Sequence, residues 1–354
     1  MGWSSRNKVT IAVVWFLATA CGLYSLSGSL SYTSTTSTKK SIHSPPELQS
    51  STTTTIMNKH HSSQESRKIT SIEDWTSPHQ VDCNSFVDEP NEFFKETSTE
   101  PSFVMNIHRP NSDGVSRSIW LKGCWECDHI KNMQKALSQY QDSYFLDIGG
   151  NIGMWTLSAA AANYQTVTIE ALPDNYRRFC LSVNKNLFHD RTHLLSIAAT
   201  EQPAVFRLQK GYQNYGGTRV IPIDNNTNVL TKGDKDIVQG VTVDSLHLPT
   251  KQPVVLKIDV EGHELSVLSG ATHFLQNANI VYAMMELGPR LHTDPRWRSI
   301  FGVLHSKGLR PYRVNSEDET ALDIDRLQEW KHFKHPKVFP PYYDVVWRRS
   351  DFIP

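Results

Sequence analysis

The stretch FLDIGGNIGMW, beginning at Phe145, constrains the fold more than any other part of the chain. Phe145, Leu146 and Ile148 read as the end of a buried strand, Gly149, Gly150 and Gly153 strip side-chain bulk from the following turn, and a helix is expected from about Met154 through Ala162. Strand, bare turn and helix in succession is how an open α/β sheet offers backbone amides and a helix N-terminus to a ligand at the carboxyl edge of its strands. The alternation continues. YFLDIG, QTVTIEA, THLLSIAA, PVVLKID and IVYAMMEL read as five successive core strands, with helices in PDNYRRFCLSVNKN and GHELSVLSGATHFLQ. Pro173 and Asp174 suit the start of the first of these helices, and Phe179, Val183 and Leu187 are expected along one face. PVVLKID is nearly all apolar, the pattern of a strand covered on both faces. AVFRLQ and IVQGVTVDSL are expected as extra strands around a Gly/Asn-rich loop from Tyr212 to Asn228, and GLRPYRV with YYDVVWRR as a closing hairpin. The fold class is therefore α/β, a largely parallel sheet with helices on both faces.

Upstream of this core the chain changes character. Residues 1–8 are polar and carry Arg6 and Lys8, and an apolar run, VTIAVVWFLATACGLYSL, starts at Val9. A cleaved signal peptide and a retained signal anchor both fit, but a cleavable apolar region usually runs about 7–15 residues, so the length of this run favours an anchor over 9–30. The positive flank then stays in the cytoplasm and the rest enters the lumen. Residues 31–80 are rich in Ser and Thr and lack the apolar residues for a core, which reads as a disordered, O-glycosylated stem or a plain disordered tail. An N-terminal cap over 81–140 follows, with SFVMNIH and SRSIWL expected as short strands and DHIKNMQKALSQY as a helix, and the main domain occupies 141–354. Anchor, stem and globular domain in that order is the layout of a Golgi-resident type II enzyme.

Net charge is zero and no Lys/Arg-rich block occurs, so the electrostatic footprint of nucleic-acid binding is absent. CWEC, from Cys124 to Cys127, has no second Cys-x-x-Cys to complete a zinc site, and no metal is assigned. In a lumenal domain a disulfide from Cys83 to one of this pair is open, while Cys180 reads as a small buried hydrophobe. The sequon Asn225-Asn226-Thr227 belongs on a surface loop.

The turn after the first core strand fits neither a dinucleotide site nor a phosphate loop. Counted from Gly149, the glycines of G-x-G-x-x-G are replaced by Asn151 and Met154, and no Gly-Lys-Ser/Thr follows. What remains is Asp147-x-Gly149-x-Asn151-x-Gly153, with Gly150 inside it and Glu170 ending the next strand. This is the grammar of an S-adenosylmethionine site. The cofactor brings an ammonium, a sulfonium and a ribose diol, so Asp147 suits the ammonium, the glycines admit backbone, and Glu170 suits both ribose hydroxyls. Turn capping by Asp147, helix packing at the glycines and a solvated Glu170 are the plainer alternatives.

The string LKIDVEGHELSVLSGA carries the second constellation. Together with GCWE, DIGGNIG, TIEALPDNYRRFCLSVNKN, VTVDSL and MMEL, over about Ser102 to Trp347, it resembles the FkbM-type methyltransferases. The resemblance implies a class I, Rossmann-like methyltransferase sheet and O-methylation of a hydroxyl on a sugar, polyketide or similar acceptor. The chain departs from the family pattern at Glu170-Ala171, where an acid-proline pair is common, and at Ala199-Thr200, where no acid follows the third strand. Asp259 falls at the carboxyl end of a core strand, with Glu261, His263 and Glu264 within one turn of it. A sugar hydroxyl is a poor nucleophile, and a base that takes its proton is worth about 100- to 10,000-fold. Asp259 is expected nearest the methyl group as base or as orienter of His263, with Glu261 beside them. Glu261 and Glu264 could instead simply favour a helix N-terminus, and Asp259, Glu261 and Glu286 could hold a Mg²⁺. Trp125, Glu126, Tyr212, Asn214 and Tyr215 are candidates to line an acceptor groove. The expected acceptor is a glycan, given the secretory layout. A lipid or small metabolite, or a methyltransferase fold kept only as a binding module, are the alternatives.

Overall fold

The computed structural model describes residues 75–223, 236–287, 293–314, 319–326 and 343–353. The expected anchor, nearly all of the stem and the sequon at Asn225 lie outside the described residues. Among the described residues no helix is long and apolar enough to cross a membrane. The folded part begins earlier than the stem boundary at residue 80: Trp75 is buried, and its indole N–H donates to the Leu246 carbonyl at 2.8 Å.

Two short strands, β1 (Phe93–Glu96) and β2 (Val104–Ile107), pair antiparallel in the cap. Helix α1 (Gly114–Lys122) takes the place of the strand expected at SRSIWL. Its ends explain why: the Asp113 carboxylate accepts the Ser116 N–H at 2.7 Å, and Gly123 closes the other end in the left-handed region. Helix α2 (Cys127–Gln139) is amphipathic and buries Ile130, Met133, Ala136 and Leu137.

The core then runs β3 (Tyr144–Ile148), α3 (Met154–Ala161), β4 (Gln165–Ile169), α4 (Pro173–Asn186) and β5 (Thr192–Leu195). Phe179 and Val183 are buried on α4, but Leu187 is its exposed, left-handed C-cap rather than part of the apolar face. THLLSIAA does not continue as one strand: β6 (Ala198–Ala199) belongs to a second sheet with β7 (Ala204–Gly211), β8 (Asn214–Pro222) and β9 (Ile237–Val241), ordered β6-β9-β7-β8. Much of the expected Gly/Asn-rich loop is thus strand β8. The main sheet resumes with β10 (Pro253–Ile258). The helix expected over GHELSVLSGATHFLQ is two, α5 (Glu264–Ser269) and α6 (Thr272–Asn277). They break at Gly270, where a Cβ would stand 2.0 Å from the Thr200 carbonyl oxygen, and Asp244 caps α6 by accepting the N–H groups of His273 and Phe274. β11 (Asn279–Leu287), α7 (Arg296–Ser306), β12 (Leu309–Val314), β13 (Glu319–Ala321) and β14 (Tyr343–Arg349) complete the chain.

The main sheet is ordered β13-β12-β14-β11-β10-β3-β4-β5. Strands β5, β4, β3, β10 and β11 are parallel, and β14 enters antiparallel between β11 and β12. All five residues of β3 are buried. Leu146 and Ile148 pack in a core with Val267, Phe274 and Phe301 of α5, α6 and α7, whereas Phe145 packs on the other side with Met133, Leu157 and Val183 of α2, α3 and α4. Helices therefore cover both faces, as expected. The chain leaves β3 toward β4 and later returns to β3's other side as β10, so the carboxyl ends of β3 and β10 flank the topological switch point where open sheets bind ligands.

Two disulfides correct the cysteine reading. Cys83 pairs with Cys180, tying the entry segment to α4, and Cys124 pairs with Cys127 just before α2.

Candidate active site

The turn at the end of β3 is shaped by the protein's own atoms. Gly149 and Gly153 have φ of 90° and 91°, in the left-handed region. A Cβ on Gly149 would stand 1.8 Å from the Asp259 carbonyl oxygen, one on Gly150 2.2 Å from Thr168 Cγ2, and one on Gly153 2.2 Å from the Phe179 ring. The three glycines are thus required by close approach within the chain, with the loops after β3 and β10 interlocked.

Beneath the turn lies a polar seam that sequence reading missed. Lys257, Asp147 and Thr168 are register partners on β10, β3 and β4 and share one face of the sheet. The Thr156 hydroxyl, from α3, donates to Asp147 Oδ2 at 2.7 Å and lies 2.8 Å from Thr168 Oγ1. Lys257 Nζ sits 3.7 Å from Asp147 Oδ1 and donates to Asp259 Oδ2 at 3.2 Å. Asp147 is only 1% exposed, so it lies under the turn and not on its open side. Asp147 was expected to meet a ligand ammonium directly or through water; in this arrangement its carboxylate anchors Lys257 and the start of α3. Burial pushes the Asp147 carboxyl up, against the opposing pull of Lys257 and Thr156. Burial pulls the Lys257 ammonium down, but Asp259, Asp147 and Glu126 outweigh it and hold the group charged. A lysine inside the apolar run VVLKI is the signal that could have pointed to this seam.

Glu170, at the end of β4, is buried. Its Oε1 accepts the Leu172 N–H at 2.8 Å and an Asn175 amide N–H at 3.3 Å, and its Oε2 accepts the Asn151 N–H at 2.8 Å. Asn151 is left-handed at φ 52°, a conformation asparagine tolerates, and its own Oδ1 accepts from the Ile152 N–H. The Glu170 carboxyl is pushed up to about 7 by burial, moderated by these backbone and amide donors. The structure therefore brings Asn151 and Glu170 into direct contact.

The loop after β10 gathers the acids. Asp259, with 35% of its side chain exposed, faces outward beside Lys257. Glu261 and Gly262 are both left-handed, at φ 55° and 96°, an unusual conformation for a glutamate. Burial pushes the Glu261 carboxyl up to about 7, helped by Asp259 and Glu264 and opposed by Arg219 and Lys257. Glu264 is buried and accepts the Gly262 N–H at 2.8 Å and the Val260 N–H at 3.4 Å, so it closes the turn. His263 is the N-cap of α5. Asp259, Glu261 and Glu286 each offer a carboxylate oxygen, all within 4.8 Å of one another, close enough to share a cation.

The cap also reaches the site. Glu126 of CWEC accepts the Trp155 indole N–H at 2.9 Å, and Lys257 Nζ lies 5.7 Å from the same ring's centroid. Burial pushes the Glu126 carboxyl up to about 7, moderated first by Lys257. Trp125 beside it is exposed, as is Tyr212 at the tip of the β7–β8 hairpin, while Tyr215 stacks on His108.

Residues 147–310, from the buried acid of β3 to the start of β12, match the family model of the methyltransferase FkbM domain. This chain carries an FkbM-type methyltransferase domain. Domains of that family take their methyl group from S-adenosylmethionine. Over 157 residues the chain is 26% identical to the hexuronic acid methyltransferase AglP of Haloferax volcanii, a stretch that is 44% of this chain and spans 59% of that protein's length. Among solved structures, it overlaps at 10% identity with precorrin-6y C5,15-methyltransferase from Geobacter metallireducens, covering 63% of this chain and 89% of that one with a TM-score of 0.31. It also overlaps at 10% identity with magnesium protoporphyrin IX methyltransferase from Synechocystis with bound S-adenosylmethionine, covering 67% and 84% with a TM-score of 0.33. Overlaps this slight leave the assignment of the FkbM fold to the sheet order and the family match.

Proposed function

We propose that this FkbM protein methylates a hydroxyl group of a glycan, as a single-pass type II protein of the Golgi or another secretory membrane with its domain in the lumen. One observation carries the chemistry: Glu261, at the carboxyl end of the switch-point strand, has a carboxyl pushed up to about 7, where it can accept a proton at neutral pH. The similarity to a hexuronic acid methyltransferase supports a sugar acceptor. The apolar run at Val9 and the pairing of four cysteines in two disulfides support an oxidising, lumenal setting.

The residues present fit the cofactor. Glu170 keeps one lone-pair site, on Oε2, beyond the three that its amide donors use, which suits a ribose hydroxyl. Asp259 and Glu261 would offer negative charge to a sulfonium. S-adenosylmethionine, when bound, supplies the methyl group as an electrophile. Lys257 holds Asp259 in place, and Asp147 with Thr156 holds Lys257 and the first turn of α3. Glu261 takes the proton from the acceptor hydroxyl as that oxygen attacks, and positioning of the two reactants contributes roughly 7–11 kcal/mol. His263, the N-cap of α5, stands on the same loop.

The test uses the full chain in detergent with methyl-labelled S-adenosylmethionine and a glycan panel. Label should enter glycans and depend on Glu261 and Asp259. Label entering only lipids or small alcohols overturns the acceptor, and a wild-type rate in Glu261→Gln overturns the assigned base. Protease protection of the domain in sealed microsomes checks the topology.

A further inference from the structure

A buried line of hydrogen bonds runs from the cap to Glu170, and the chemistry above does not use it. His108, directly after β2 and 3% exposed, sits at its centre. Arg178 Nε–H, from α4, donates to His108 Nδ1 at 2.8 Å, so that nitrogen is the acceptor. The proton of the neutral ring is then on Nε2, which lies 2.8 Å from Asn175 Oδ1 and donates to it. The amide N–H₂ of Asn175 in turn donates to Glu170 Oε1 at 3.3 Å. Every group in this line has one direction of donation. Arg178 is itself fixed by Glu92 Oε2 at 3.1 Å and Asn106 Oδ1 at 2.9 Å.

A second set of contacts ties strand β8 to the same ring. Tyr215 stacks on His108 with ring centroids 4.1 Å apart and planes 6° from parallel. Its N–H donates to Asp113 Oδ1 at 3.0 Å, while Asp113 Oδ2 caps α1. The next residue, Gly216, approaches Asn151 so closely that a Cβ there would stand 2.7 Å from Asn151 Nδ2. Asn151 and Asn175 are two of the three residues that donate to the Glu170 carboxylate. Cap, α4 and β8 thus converge on one acid from three directions.

We propose that His108 is a positioning residue of the cofactor's ribose subsite: through Asn175 it holds the Glu170 carboxylate in the rotamer that receives a ribose hydroxyl, and through Tyr215 it seats β8 over that subsite. This rests on the reading of Glu170 as the ribose acid. Removing the line costs ribose recognition rather than affinity in general, because it acts on one carboxylate.

The test measures binding of S-adenosylhomocysteine and of its 2′-deoxy analogue by calorimetry, on the full chain in detergent. Wild type should prefer the parent ligand by about tenfold, the worth of one hydrogen bond to a charged group. His108→Phe keeps a ring against Tyr215 but loses both hydrogen bonds, and should bind the parent about tenfold more weakly while binding the analogue nearly as wild type does. His108→Gln, whose amide N–H₂ can donate to Asn175, should recover most of the preference. Asn175→Ala removes the next link from another element and should behave as His108→Phe, which keeps the test decisive if that variant does not fold. If wild type binds both ligands equally, the Glu170 reading fails and the proposal with it. If wild type discriminates but both variants weaken the two ligands alike, or change neither, the positioning role alone is overturned.

Discussion

At the scale of single residues, the site is a balance of five carboxyls around few cations. Asp147, Asp259 and Glu126 surround Lys257, and Glu261 and Glu264 crowd Asp259 from the other side. Removing Lys257 leaves buried acid without its counter-charge, and Lys257→Met should destabilise the protein by about 3–5 kcal/mol in urea unfolding. Glu261→Gln keeps the shape and removes the proposed proton acceptor. Its kcat should fall about 100- to 10,000-fold while S-adenosylhomocysteine binding is unchanged. Because the base works only when ionised, kcat/KM of the wild type should rise with pH and level off above about 7, the value to which the Glu261 carboxyl is pushed. A pH-independent rate between pH 5 and 8 would remove Glu261 from that role. Gly149 is the most exacting position: alanine there adds a left-handed penalty of about 1 kcal/mol or more to a contact of 1.8 Å with the Asp259 carbonyl, and Gly149→Ala should not yield stable protein.

At the scale of elements, periodicity and turn chemistry made most of the sheet legible. Tyr144–Ile148 and Pro253–Ile258 are strands whose largely apolar runs announce burial on both faces, Gln165–Ile169 is a strand marked by its β-branched residues, and Pro173 marks the first turn of α4. What was not legible depended on contacts distant in sequence. SRSIWL alternates well enough for a strand, but the Asp113 cap and Gly123 make it a helix. Gly270 breaks a helix because Thr200 lies against it, and Leu187 leaves the apolar face because the helix has ended. In the site, Asp259, Glu261 and the glycines could be named from spacing and Lys257 was signalled only by its place in an apolar run, whereas Asn175 and His108 became visible only through packing. Cysteine pairing is equally non-local. Cys83–Cys180 closes 97 residues, and loops near that size are stabilised by roughly 2–5 kcal/mol. Cys83→Ser should therefore lower the unfolding midpoint markedly, and a midpoint equal to wild type would mean the bond is not formed in the cell.

For the whole molecule, the carboxyls set how stability follows pH. Glu126, Glu170, Glu261 and Glu264 are all pushed up to about 7, above the ordinary carboxylate range. An acid whose folded pKa is raised stabilises the fold fully at low pH and loses that contribution as pH rises through the folded value. Burial lowers His108 and His193, which pull the other way below about 6.5, but they are two groups against four. Urea midpoints should be higher at pH 5.5 than at pH 8, and the reverse order would contradict the burial described for these acids.

Strand β8 spans the mouth of the fold. Its beginning leans on Asn151 through Gly216, and Arg219, three residues on, feels the charge of Glu261. A single ribbon therefore reaches both the proposed nucleoside end and the proposed proton acceptor. Filling the first compartment should steady the walls of the second, so that the donor enters before the acceptor and product inhibition follows an ordered, sequential scheme.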